Sequence, residues 1–188
     1  MKLLQLAAPI LATALSTAAF AAPAISTFEV AEDHTRFAFA PAPVFDDGMP
    51  AHGNPFVTQG YIYPAGTLSE GVSGTLEDGS PAFPDKVLGT WTCDGWFVGD
   101  GAHAETGAWL ISRQVYDFGD GGLFISQGPE LVDQGVAVSR AITGATGDFA
   151  DHDGVLRQTL IGFNEHMGAQ ATMEIAVITG TAADSKDY

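Results

Sequence analysis

Basic residues are scarce: the 188-residue chain has 7 Lys and Arg against 23 Asp and Glu, a formal net charge of −16. That field repels phosphate backbones and anionic headgroups, so neither nucleic acid nor a membrane is an expected partner of the processed chain. Cysteine is all but missing. Cys93 stands alone, so no internal disulfide can staple the fold and the core must hold itself together. In the run GTWTCDGWFV it reads as a buried thiol packing as a small hydrophobe. Metal signatures are absent too: His34, His52, His103, His152 and His166 fall into no H-x-H or H-E-x-x-H pattern. Asp151-His152-Asp153 cannot aim three consecutive side chains at one ion in an extended strand. No metal and no cofactor are expected. There is no Gly-x-Ser-x-Gly elbow, no partner signal for a Cys93-His nucleophile, no tandem repeat and no low-complexity segment.

What is present begins with an export signal. Lys2 precedes an apolar run from Leu3 to about Ala18, and Ala19-Phe20-Ala21 gives the small-x-small pattern of a cleavage site. The run is short for a spanning helix, so residues 1–21 read as a secretory signal peptide, with a retained anchor as the alternative. Residues 22–188 then make a single domain, secreted or periplasmic.

Segments rich in aromatic and branched residues recur between Gly, Pro and Asp: Ser26–Phe39, Phe56–Tyr63, Val87–Val98, Ala108–Phe118, Leu123–Gln127, Val136–Thr143, Val155–Phe163 and Ala169–Thr179. None carries an apolar stripe at helical spacing. Several alternate at period two, as with Leu110, Ser112, Gln114 and Tyr116 against Trp109, Ile111, Arg113 and Val115. Eight such strands predict an all-β fold: a closed eight-stranded antiparallel barrel with a central cavity and few or no helices. Many strands are apolar on both faces, so part of the outer wall should be covered, and subunit contacts would cover it. The stretch Gly66–Asp85 reads as a loop capping or flanking one mouth.

The stretch SRAITGATGDFADHDG, residues 139–154, has the glycines of a phosphate loop but not its context. Beyond Gly147 the chain is acidic and turn-forming and then enters another strand, whereas phosphate cradling needs a helix N-terminus. Instead AITGATGDFADHDG resembles the A-x-T-G-G-[ST]-G-x-F-x-x-x-x-G signature of allene oxide cyclases and dirigent proteins. Tyr116-Asp117-Phe118-Gly119-Asp120-Gly121-Gly122 resembles the aromatic-x-F-G-D-x-G turn of the cyclases. Gln127-Gly128-Pro129-Glu130-Leu131 resembles their Q-G-P-x-L segment. The good match covers roughly residues 108–163. Upstream, Phe28-Glu29-Val30-Ala31-Glu32 resembles the start of the cyclase barrel, and Asp46-Asp47 echoes a dirigent strand, although these two aspartates more often mark a turn.

The resemblance implies the same barrel, a lumenal site and a trimer. Glu29 falls at the position of the cyclases' lumenal glutamate. Ala31 and Phe37-Ala38 replace residues that hold their ordered water, so that water site is not implied here. Glu130 replaces a lumenal tyrosine and would bring a second carboxylate into the lumen. Two carboxylates in one apolar cavity favour keeping one protonated, which suits acid–base or charge-stabilising work in an isomerisation or cyclisation. Catalytic candidates are therefore Glu29 and Glu130. Candidates for substrate contact are Cys93, Arg113, Tyr116, Gln127 and Pro129, where Arg113 and Tyr116 lie on opposite faces of a regular strand and cannot both reach the lumen. Three functions stand open: a cyclase or isomerase for a small apolar or oxygenated molecule, a dirigent-like binder that sets stereochemistry without bond chemistry, and a lipocalin-like carrier.

Overall fold

A computed structural model describes residues 26–68, 71–150 and 154–177; the signal peptide reading and the end of the last expected strand lie outside them. Nine strands are present, in chain order: β1 (Thr27–Glu32), β2 (Ala38–Phe39), β3 (Pro55–Pro64), β4 (Gly89–Phe97), β5 (Ala108–Asp117), β6 (Leu123–Leu131), β7 (Ala137–Ala145), β8 (Gly154–Phe163) and β9 (Ala169–Val177). Between them are single 3-10 turns of three residues. The sheet runs β1-β9-β8-β7-β6-β5-β4-β3, and β1 pairs back onto β3, so eight antiparallel strands close into a barrel. The two-residue β2 pairs with Val57 and Phe56 and continues along the stretch of β3 that β1 leaves uncovered. The expected first strand, Ser26–Phe39, is thus real but broken by the turn His34–Arg36, whose Asp33 cap accepts the Thr35 amide.

Inward positions follow the period of two. On β5, Leu110, Ser112, Gln114 and Tyr116 are buried inside, and Ile111, Arg113 and Asp117 are exposed. At one end Phe28, Tyr116, Phe118, Phe124 and Phe149 stack and cross one another, with centroids 4.5–6.3 Å apart, and plug the barrel. Two turns are pressed together beneath that plug. Gly122 (φ +94°) and Gly147 (φ +60°) face each other's backbone so closely that a Cβ on either would stand 2.3 Å from Thr146 O or 2.7 Å from Gly121 O. This contact explains one glycine in each motif, Gly122 and Gly147: only a residue without Cβ combines the left-handed conformation with that approach.

The loop expected at a mouth lies elsewhere. Residues 64–68 and 71–88 strap the outer wall of β1, β3 and β9, where Leu68 packs with Ala31 and Tyr63 in a second small core. Tyr63 donates its hydroxyl to Gly74 O at 2.7 Å, and burial pushes that phenol up to about 12. Gln170 accepts from the Gly74 amide and donates to Val72 O. The chain's own strap, rather than another subunit, covers this wall. As a result β1 is buried on both faces from Phe28 to Glu32.

Candidate functional site

Above the aromatic plug the barrel is hollow. A cavity of about 650 Å³ opens at the other end, walled by Val30, Phe56, Trp91, Phe97, Leu160 and Met173 among others. Its rim carries Phe37, Phe39, Met49, Trp109, Phe163 and Met167. Room of this size accommodates a small organic molecule of mostly apolar surface.

Polar groups enter the wall at few places, and those around Glu130 are firmly anchored. Glu130, on β6, opposite Leu110, faces the cavity. Its Oε1 accepts from Ser112 Oγ and from Cys93 Sγ at 3.4 Å, and its Oε2 accepts from Gln158 Nε2 at 2.7 Å. Behind it Arg140, only 1% exposed, approaches Oε1 to 3.8 Å. The guanidinium also donates to Ser126 Oγ, to the carbonyls of Ser112, Gly128 and Pro129, and to Ser112 Oγ. Removing a charge pair from water is costly unless every remaining donor is satisfied, and here the barrel wall satisfies them. Gln158 continues inward to Gln114, which accepts from Trp91 Nε1 and Tyr116 OH. Burial raises the Tyr116 phenol, and burial together with the Glu130 charge raises the Cys93 thiol well above its ordinary value. Cys93 is therefore a neutral donor to Glu130 and no ready nucleophile.

A second carboxylate shares the lumen, though not the expected one. Glu32, the last residue of β1, lines the cavity and accepts the Ala169 amide on Oε2 at 2.8 Å. Burial holds its pKa above the ordinary value. The Ala169 amide and the nearby Thr58 hydroxyl pull it down, while the charges of Glu130 and Asp33 push it up.

Glu29 is turned the other way. It lies on the outer wall, where its two oxygens accept the amides of Gly66 (2.8 Å) and Leu68 (2.7 Å) and pin the strap. The structure thus does not bring Glu29 and Glu130 together. The reason is parity: Phe28, Val30 and Glu32 alternate inward, and with both faces of β1 buried, apolarity does not reveal which glutamate faces the lumen. Of the other candidates, Cys93 lines the cavity and Tyr116 sits below it in the plug. Arg113 faces outward and pairs with Asp94 at 2.8 Å, and Gln127, opposite it, is exposed as well. Pro129 shares the outer row with the exposed Ile111 and reaches the site only through its carbonyl, which accepts from Arg140. Asp46-Asp47 lie in a turn, where Asp47 pairs with His103 at 2.8 Å; the Met49 amide and His103 hold its carboxyl low.

Sequence reasoning missed Arg140, Glu32, Gln158 and Thr58. Arg140 had no signal beyond a lone basic residue inside a strand pattern. Glu32 had one, since in Thr27–Glu32 the two glutamates have opposite parity and cannot both face the same side. Among the described residues no three His, Cys, Asp or Glu side chains converge as metal ligands.

No family model matches the chain, and no curated protein matches it. Among solved structures 17 chains match. One, described as a pyocyanin demethylase, superposes with a TM-score of 0.49 at 14% identity, over 80% of this chain and 98% of that one. The resemblance to allene oxide cyclases and dirigent proteins accordingly rests on the sequence motifs.

Proposed function

We propose that the chain is a cyclase- or isomerase-type barrel of the allene oxide cyclase and dirigent kind, which draws a small, largely apolar molecule through its open mouth and rearranges it inside. The observation that carries this reading is one cavity of about 650 Å³ with two carboxylates of unlike surroundings, Glu32 and Glu130, on its wall. Glu130, fixed by Ser112, Cys93, Gln158 and Arg140, is placed to stabilise positive charge as it develops. Glu32, with its pKa raised by burial, is placed to hold and return a proton. The apolar wall selects one folded conformer of the substrate, so much of the acceleration would come from confinement. Export through residues 1–21 and assembly into a trimer belong to the same reading.

A second reading, retention without conversion, is favoured by one observation. Both oxygens of Glu130 already accept hydrogen bonds, as those of a purely structural carboxylate would. The experiment that decides incubates wild type and Glu130→Gln with a metabolite extract of the producing organism. Bound and converted species are then identified by mass spectrometry with chiral separation. Conversion by wild type with mere retention by the variant supports the enzyme. Equal retention by both, with no product, leaves a binding protein.

A further inference from the structure

Two buried side-chain polar atoms lack a hydrogen bond among the described residues: Thr58 Oγ1 and His34 Nδ1. Both residues line the lumen together with Glu32, and the Thr58 hydroxyl lies near its carboxyl. Their convergence follows from the topology. β1 ends at Glu32, the Asp33 amide makes its last bond to Gln59 O, and the chain turns through His34 away from β3, exposing Thr58 to the cavity. Thr58 is 2% exposed, so its hydroxyl cannot turn to bulk water. Glu32 is bonded through Oε2 alone; Oε1 accepts no hydrogen bond among the described residues. His34 is held in place by its stack on His166, centroids 5.0 Å apart, and His166 is fixed by the turn that Asn164 clamps.

The cavity wall thus carries three groups with acceptor capacity to spare: a hydroxyl oxygen whose only nearby polar partner is the Glu32 carboxyl, the second oxygen of that carboxylate, and an imidazole nitrogen whose proton can reside on Nε2. Unmet buried acceptors are costly, and a ligand that supplies the donors recovers that cost. The charge count points the same way. The lumen wall carries Glu32 and Glu130, and Arg140 approaches Glu130, which leaves Glu32 without a cation. Trp91, Phe56 and Phe37 line the same cavity, and aromatic faces attract cations. The net charge of −16 draws cations towards the molecule.

From this convergence we infer that the lumen recognises an organic ammonium cation, whose N–H groups bond Glu32 Oε1, Thr58 Oγ1 and His34 Nδ1 while its apolar body fills the aromatic cavity. The inference rests on the lumen being the ligand site, and it names the class of ligand: a lipophilic amine rather than a neutral or anionic molecule. Bound there, the amine neutralises the one lumenal carboxylate that has no cation of its own. The pKa of Glu32, raised by burial in the empty lumen, would fall on binding.

The test uses three probes of one shape, 2-naphthylmethylamine, 2-naphthylmethanol and 2-naphthoic acid, titrated by calorimetry into the full-length chain, Glu32→Gln and Thr58→Val. A glutamine at position 32 can still accept the Ala169 amide, so this variant keeps the fold's own bond. The amine should bind wild type about tenfold tighter than the alcohol, as a desolvated charge pair with hydrogen bonds allows. The acid should be the weakest. In Glu32→Gln the amine should fall to the level of the alcohol while the alcohol is unchanged, and Thr58→Val should cost the amine a smaller factor. Affinity for the amine should rise as pH climbs through the raised pKa of Glu32. Asp33, Glu130, Arg140, His34, His166 and Glu165 also face this region, so the variant supplies the baseline for that profile. Equal binding of amine and alcohol, or an amine preference that survives in Glu32→Gln, overturns the cation site but leaves the lumen as a binding site. Failure of all three probes overturns the lumenal reading itself, and the cation site with it.

Discussion

The two halves of the barrel interior are built on the same strands and differ in nearly everything else. The plugged half is a stack of five aromatic rings around Phe124. The open half keeps a cavity of about 650 Å³ in the presence of a buried arginine, two carboxylates and two glutamines. Large rings facing each other at neighbouring positions fill a barrel of eight strands, while Gly95, Ser112, Gly128 and Ala171 at the inward positions of the other half do not. The polar network takes over the role of the missing side chains there: it holds the wall rigid without filling the space. The tightest packing and the open space thereby lie at opposite ends.

If that division holds, the two ends should respond differently to substitution. Arg140→Met should have the largest effect, about 3–5 kcal/mol of destabilisation, because it leaves Glu130 buried beside unpaired carbonyls. Urea unfolding measures it, and a loss under 1 kcal/mol would mean that water replaces the guanidinium. Phe124→Ala in the plug should cost about 3 kcal/mol through the cavity it creates, while affinity for a lumenal ligand stays within twofold. A comparable loss of affinity would show that the halves are coupled.

The strap gives a smaller contrast. Glu29→Gln keeps one acceptor but loses the charge that receives two amides, so about 1–2 kcal/mol should be lost, with faster hydrogen exchange at Gly66 and Leu68 and no change in ligand affinity. A loss of turnover in this variant would return Glu29 to the catalytic role that the resemblance implied.

The smallest effect is that of pH. Glu32 binds its proton more tightly in the folded chain than in the unfolded one, so the folded state holds the extra proton between the ordinary value of 4.5 and the raised one. Stability should therefore decline as pH rises through that window, and Glu32→Gln should flatten the decline. Parallel profiles for the two proteins would place the titration elsewhere.

Much of the fold was legible beforehand because strand signals are local. Alternation, branched and aromatic residues and glycine punctuation placed eight strands, and the expected breaks at Phe118–Leu123 and Phe163–Ala169 match turns in the structure. The site was legible only in part. Glu130 and Cys93 emerge from the Q-G-P segment and the aromatic strand around the cysteine, and both line the lumen. Arg113 was the more conspicuous arginine, yet it pairs with Asp94 outside, and Arg140 is the buried one.

The sequence by itself determined the strands and the turns between them, since each depends on residues close together in the chain; the closure it implied is made by β1 and β9, with Thr27 opposite Glu174. Only the tertiary structure decided which way β1 faces. A strand declares its inner face when the outer one is wet, and here the strap folds back over it, so Glu29 and Glu32 are both buried among apolar neighbours. Which of the two becomes a strap anchor and which a lumenal carboxylate depends on where a loop more than 30 residues away comes to rest. That contact has no local signature in Thr27–Glu32.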